Sequence, residues 1–342
     1  MKAIFFDQHG EIDVLKHADL PDPAPGQGEV LIQVEAVALN HLDIWVRRGW
    51  KGLKLNMPHI TGSDIAGKIV SAHVNSAWSA GDKVIVNPGI NLGEDEWTRQ
   101  GEDSVSPGYK IIGEHFRGGM AEYVVVPAQN VFKMPDQLSY EEAAASLLTG
   151  LTCWRMLFKR AALKPGESIL TVGSGGGVNS LTISLAKAAG ATVYALAGGK
   201  EKTKQAIDLG ASHAIDYKKY ENWPLEILKL TRSRGVDVVV DNVGKKTINK
   251  SLQAVARGGR IVTVGNTSGF DVSFDNRLLF SKQVSLIGST MGSKQDFIES
   301  QQFMLQHKIK PVIDKVEKLK DGIKMIKYLE DGKQFGKLVL KP

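Results

Sequence analysis

One run of residues constrains this chain more than any other: Gly173-Ser174-Gly175-Gly176-Gly177-Val178-Asn179. An apolar strand, Ser168-Ile169-Leu170-Thr171-Val172, precedes it, and an amphipathic helix, Leu181 to Ala188, follows. A strand-to-helix turn that lets a pyrophosphate close onto backbone N–H groups needs residues without Cβ. A tight turn with no ligand is the bland alternative. What comes next argues for the ligand. A strand at Ala191–Leu196, a helix at Lys200–Leu209 and a strand at His213–Ile215 repeat the strand–helix texture. Val236–Val240 and Arg260–Val264 add two more strands. This implies an α/β unit, doubly wound, with a parallel sheet covered by helices on both faces.

The second of these strands runs into Ala197-Gly198-Gly199-Lys200-Glu201-Lys202-Thr203-Lys204. An NAD-binding unit places an acidic residue there for the ribose hydroxyls. Small residues stand in its place and lysines follow, so the cofactor expected is NADP(H), with Lys200 and Lys204 toward the 2′-phosphate. The alternative is a solvated first helical turn in which Glu201 plays the acidic part.

The rest of the chain has a different texture. From Met1 to about Gln129, short β-branched runs such as Val30-Leu31-Ile32-Gln33-Val34 and Lys83-Val84-Ile85-Val86 alternate with Pro and Gly. A last strand, Phe335-Gly336-Lys337-Leu338-Val339-Leu340, belongs most naturally to that first sheet. Residues 1–130 with 291–342 are therefore expected to form a β-rich domain, and residues 131–290 a cofactor domain inserted into it. The 342 residues suffice for both. Lys and Arg number 43 against 37 Asp and Glu, a net charge of +6 without any dense basic block, which argues against nucleic acid. No apolar run reaches the ~18 residues of a membrane span. The N-terminus turns polar too soon for a signal peptide. Cys153 is alone, so there is no intrachain disulfide and no cysteine-rich zinc site. The expected location is cytoplasmic.

Several spaced motifs resemble the medium-chain dehydrogenase/reductase superfamily over nearly the whole chain. They are Ala38-Leu39-Asn40-His41-Leu42-Asp43 with Arg47 and Gly49, Gly62-Ser63-Asp64-Ile65-Ala66-Gly67, and Gly81-Asp82-Lys83-Val84. Gly118-Gly119-Met120-Ala121-Glu122-Tyr123-Val124, Leu209-Gly210-Ala211, Asp241-Asn242-Val243-Gly244 and Gly336-Lys337-Leu338-Val339 complete the set. The resemblance implies a GroES-like β-rich catalytic domain plus a Rossmann cofactor domain, an active site in the cleft between them, and homodimers or homotetramers paired through the cofactor domain. Zinc members hold their metal with a Cys, a His-Glu pair and a further Cys or Asp. By the same resemblance, Asn40 stands at the first Cys and Ser63-Asp64 at the His-Glu pair. An amide and a hydroxyl are poor zinc ligands, so no metal is expected there. The four Cys positions of the structural zinc lobe hold Leu92, Asp95, Thr98 and Ser106. The chain thus resembles the zinc-free quinone oxidoreductase branch. Two departures from that branch are Asn179 at a usual glycine, where its side chain would crowd the strand–helix packing, and Ser184 at a usual glutamine.

These readings name a candidate site. Gly173, Ser174, Gly175, Gly176, Gly177, Val178 and Asn179 would receive the pyrophosphate. Tyr217 ends the third strand where related reductases put a tyrosine by the adenine ribose. Asn242, Gly244, Gly265, Asn266, Gly288 and Ser289 follow later strands, at the carboxyl edge where nicotinamide and ribose lie. Asn40 is expected to donate to the substrate oxygen or to orient the nicotinamide, with tying the loop together as its bland role. His41 and Asp64 are weaker candidates for a proton relay. An unorthodox metal site of His41, Asp64, Glu114 and His115 is a further possibility; otherwise His41 bonds the cofactor and Glu114-His115 is structural. Without a Lewis acid, hydride transfer favours a quinone or an α,β-unsaturated carbonyl, whose developing charge spreads over a conjugated oxygen. Two alternatives are an alcohol/aldehyde dehydrogenase and a non-enzymatic dinucleotide-binding protein of crystallin type.

Overall fold

The computed structural model describes residues 1–72 and 77–342. It divides into two compact units. The first comprises Met1–Thr149, Gly292–Ile298 and Lys310–Pro342; the second comprises Gly150–Met291 and Glu299–Ile309. The division at Thr149/Gly150 comes later than the expected boundary near residue 130. A helix at Tyr140–Ala145 packs on the first unit's strands, and Leu148 is hydrogen-bonded into its core.

In chain order the strands used below are β1 (Glu29–Ala38), β2 (Asp64–Ala72), β3 (Ser168–Val172), β4 (Thr192–Ala197), β5 (His213–Asp216), β6 (Val236–Asp241), β7 (Val255–Thr263), β8 (Ser285–Gly288) and β9 (Lys337–Lys341). The helices are α1 (His41–Arg48), α2 (Gly177–Ala188) and α3 (Lys200–Asp208).

The first unit is a seven-stranded sheet in which β1 lies between β2 and β9 and is antiparallel to both. The registers align three strand ends. Ala38 of β1 faces Asp64 of β2 on one side and Val339 of β9 on the other. Alternation along β1 buries Val30, Ile32 and Val34 against Ile69, Val84 and Leu340. GroES-like architecture is thus built from residues far apart in the chain.

The second unit is a parallel six-stranded sheet in the order β5-β4-β3-β6-β7-β8. Its strands carry apolar side chains at successive positions because both faces are covered. Ile169, Val193, Val238 and Val240 enter one core, and Leu170, Leu196, Ile215 and Val239 the other. This is the Rossmann-type sheet that the sequence texture implies. Helix α2 starts at Gly177, earlier than the apolar periodicity marks it, because its first turn, Gly177-Val178-Asn179-Ser180, is mostly small and polar.

Candidate functional site

In the first unit, three strand ends and one helix start form a buried polar cluster. Asn40 precedes α1 in extended conformation. Its backbone N–H donates to Asp43 Oδ2 at 2.7 Å, and Gly62 N–H donates to Asp43 Oδ1 at 2.9 Å. Burial pushes the Asp43 carboxyl up to about 7, with the two backbone donors and Lys337 opposing. Asp64, at the start of β2, is fully buried. Its Oδ1 accepts from Leu148 N–H at 2.6 Å, and its Oδ2 accepts from Asn40 Nδ2 at 2.9 Å and Lys337 Nζ at 2.8 Å. Lys337 Nζ also donates to Asn40 Oδ1 at 2.6 Å, and its side chain is only 4% exposed.

These contacts bear on two expectations, Asp64 as a proton relay and Asn40 as a donor. Asp64 accepts three hydrogen bonds, one of them from a cation, which ties its carboxylate into the cluster. Asn40 ties the loop through both ends of its amide. His41, the first residue of α1, keeps the more open position: among the described residues its ring makes no hydrogen bond, and it tilts against Trp45 at 6.3 Å. Burial first, and then the Lys337 charge, hold its pKa below the ordinary histidine value. Ser63 Oγ beside Asp64 is buried without a partner among the described residues.

The unorthodox metal set does not assemble. Among the described residues, no three potential metal-ligating side chains gather. His115 Nδ1 accepts from Ile111 N–H at 3.2 Å, and its Nε2 lies 3.6 Å from Glu114 Oε1. Burial raises Glu114 to about 7. The zinc-lobe positions are joined by hydrogen bonds instead. Asp95 accepts from Trp97 N–H and Thr98 N–H at 2.9 Å and from Ser106 Oγ at 2.7 Å, while its own N–H donates to Thr98 Oγ1 at 2.8 Å. Leu92 points to solvent, 60% exposed.

In the second unit, β3 ends at Gly173, where φ is +81° and an added Cβ would meet Val243 at 3.1 Å. Gly176 precedes α2 with no side-chain cap, and among the described residues the first-turn N–H groups of Gly177, Val178 and Asn179 have no such partner, as an anion site requires. Ser174 departs from the expected role. Its hydroxyl bonds Thr171 and its N–H bonds Leu196 O, so it shapes the turn without donating to a ligand. Asn179 does not crowd the packing. Its Nδ2 donates to Val172 O at 2.6 Å and Gly173 O at 3.2 Å, and its Oδ1 accepts from Asn242 Nδ2 at 2.8 Å. Asn242 Oδ1 in turn accepts from Val264 N–H at 2.8 Å, so one chain of amides spans three strand ends.

At the end of β4, an added Cβ on Gly198 would meet Tyr217 Oη at 2.5 Å and Lys218 Cε at 3.4 Å. Gly199 has φ +96°, and its N–H, with that of Lys218, donates to Asp216 Oδ1. Lys200 opens α3 exposed, as does Lys204 one turn on. Gly244, at φ +85°, lies against Asn266 and Gly269; an added Cβ would meet both at 3.4 Å. Gly265 bonds Thr263, Gly288 O accepts from Arg160, and Ser289 Oγ is buried without a partner among the described residues. Sequence reasoning missed Lys337, Leu148 and Lys218 as site residues. A lysine inside the apolar closing strand was the one available signal; the others depend on tertiary placement.

Comparison with known proteins agrees with this geometry. Residues 26–136 match the alcohol dehydrogenase GroES-like domain, and residues 177–306 match the zinc-binding dehydrogenase family. An NAD-dependent alcohol dehydrogenase of Saccharolobus solfataricus is 33% identical over the full length of both chains. Human quinone oxidoreductase is 29% identical over 87% of this chain and 83% of its own. A crystal structure titled as an NAD-dependent alcohol dehydrogenase superposes with a TM-score of 0.96 at 39% identity, covering both chains completely.

Proposed function

This chain belongs to the medium-chain dehydrogenase/reductase family of oxidoreductases, and from that premise we propose that it is an NADPH-dependent reductase of quinones or α,β-unsaturated carbonyls that works without zinc. The observation that carries the reading is the Lys337 ammonium between Asn40 Oδ1 and Asp64 Oδ2. It engages the two side chains that a metal in this position would need. A divalent cation within a few ångströms of a buried ammonium is strongly repelled. Asn40, Ser63 and Asp64 therefore do not fit zinc.

The second unit fits a dinucleotide. The glycine turn and the unsatisfied N–H groups of α2 would hold the pyrophosphate, and bound cofactor would supply the hydride. For NADPH over NADH, the supporting residues are Lys200, Lys204, Tyr217 and Lys218 around Gly198-Gly199, whose lysines attract a 2′-phosphate, while the Asp216 carboxylate at the Gly199 and Lys218 N–H groups opposes it. The NAD-dependent relatives weigh against that choice, which makes the preference worth measuring. In the first unit, Asn40 supplies an N–H donor and His41 a neutral imidazole. Preorganised donors of this kind contribute ~3 kcal/mol each toward charge developing on a conjugated oxygen.

The test is NADPH oxidation by metal-stripped protein with 9,10-phenanthrenequinone, a simple enone and a simple aldehyde. Turnover of the quinone or enone that chelator leaves unchanged is expected. Lys200→Ala should lower the NADPH-over-NADH preference. Activity confined to the aldehyde and abolished by chelator would overturn the zinc-free reading in favour of an alcohol dehydrogenase.

A further inference from the structure

We propose that Lys337 is a positioning residue that makes Asn40 a charge-assisted donor toward a carbonyl oxygen. The inference deepens the reading above and rests on it only for the identity of the acceptor.

The Asn40 amide lies between opposite charges. A cation, Lys337 Nζ, faces its oxygen at 2.6 Å, and an anion, Asp64 Oδ2, faces its nitrogen at 2.9 Å. This fixes the amide's orientation. Turned over, the ammonium would meet N–H donors and the carboxylate would meet a carbonyl oxygen, losing two hydrogen bonds and gaining two repulsions. A primary amide carries two N–H bonds. One is given to Asp64. The other has only Ala38 O, 3.5 Å from Nδ2, beyond the usual hydrogen-bond range. That N–H is the donor left for a ligand.

The ammonium also changes the donor's strength. Hydrogen bonds in series polarise one another, more so in a buried site. A positive charge on Oδ1 draws electron density from the amide and makes Nδ2–H more acidic, so it donates better to an oxygen gaining negative charge. The ion pair with Asp64 balances the Lys337 charge, which lets the ammonium stay buried. A role limited to joining strands would not need this chemistry. Leu39 N–H already donates to Leu338 O at 2.9 Å, and β1 pairs with β2 and β9 on both sides. Leu or Met side chains would fill the same volume without burying a charge.

The readout is the C=O stretch of 2-cyclohexenone, labelled with ¹³C at the carbonyl, in its dead-end complex with the protein and NADP⁺. In the native protein the stretch should move to lower frequency relative to water, because the carbonyl accepts a strong hydrogen bond. Asn40→Leu should abolish the displacement. Lys337→Met should remove most of it and lower kcat for enone reduction at least tenfold, with NADPH affinity unchanged within about twofold. Lys337→Arg should restore part of both, since it keeps the charge but spreads it. If Lys337→Met does not fold, the arginine variant carries the test through its intermediate displacement. A native displacement that survives Lys337→Met, or no displacement in the native complex, overturns the proposal. A displacement that depends on Lys337, in a protein that reduces neither quinone nor enone with NADPH, overturns the functional reading and leaves this role standing.

Discussion

At the scale of single residues, substitutions at family positions carry their own compensation. Asn179 stands where a glycine is usual, and sequence reasoning expects its side chain to crowd the turn. The structure gives that side chain two carbonyls to bond and a second amide, Asn242, to receive. Asn179→Gly should therefore destabilise the protein. The loss is about 3–4 kcal/mol, from ~1 kcal/mol for each of the three hydrogen bonds left unmade plus the backbone freedom of an added glycine. Chemical denaturation followed by tryptophan fluorescence would measure it; a gain in stability would show that the amide chain is strained. Arg47 has a similar history. In the sequence it marks a resemblance at the approach to the active site. In the fold it is buried, its guanidinium donating to Glu330 and to Gly10 O. Which partner a side chain meets 283 residues away is a matter of tertiary placement, and no local pattern announces it.

At the scale of elements, the lobe at residues 92–106 shows how a loop survives the replacement of its metal-binding positions. Asp95 caps a short helix, Glu96–Arg99, and reaches across to Ser106. One carboxylate accepting three bonds draws together three of the four positions where the resemblance puts zinc-binding cysteines. Asp95→Ala should speed amide exchange at Trp97 and Thr98 several-fold while leaving exchange in β6 unchanged, and added zinc should not restore protection. Unchanged exchange in the lobe would mean that apolar packing holds it instead. The elements themselves were mostly legible. Strands β3, β4 and β6 lie where apolar β-branched runs place them, because a sheet buried on both faces leaves a continuous apolar signature, while β7 begins at Val255, five residues before the expected run. What escaped was the polar cluster. Asn40, Asp64 and Lys337 sit at the ends of three strands, and only the sheet's register brings those ends together.

At the scale of the whole molecule, β8 is the edge of the six-stranded sheet. Leu286 within it and Phe280 in the preceding helix, Asn276–Lys282, are 42% and 64% exposed. An open edge with exposed apolar side chains is a pairing surface. We propose that two copies pair there, each edge extending the other's sheet; the family resemblance implies pairing through the cofactor domain. Sedimentation should give a dimer or a tetramer built from dimers, and Leu286→Lys with Phe280→Glu should halve the mass of the assembly. A native monomer at micromolar concentration would reject this arrangement.

The interrupted order of the first unit also has a consequence in time. Asp64 and Lys337 are 273 residues apart in the chain, with the whole Rossmann-type sheet made between them. A ribosome adding ~5–20 residues per second finishes Asp64 many seconds before it adds the lysine that neutralises it. During that interval the first sheet lacks β9, and the carboxylate has no cation to be buried with. The polar cluster is therefore a late event of folding, closed by a strand synthesised after the whole of the inserted sheet. The inserted sheet, whose strands are consecutive in the chain, has had its chance to fold before then.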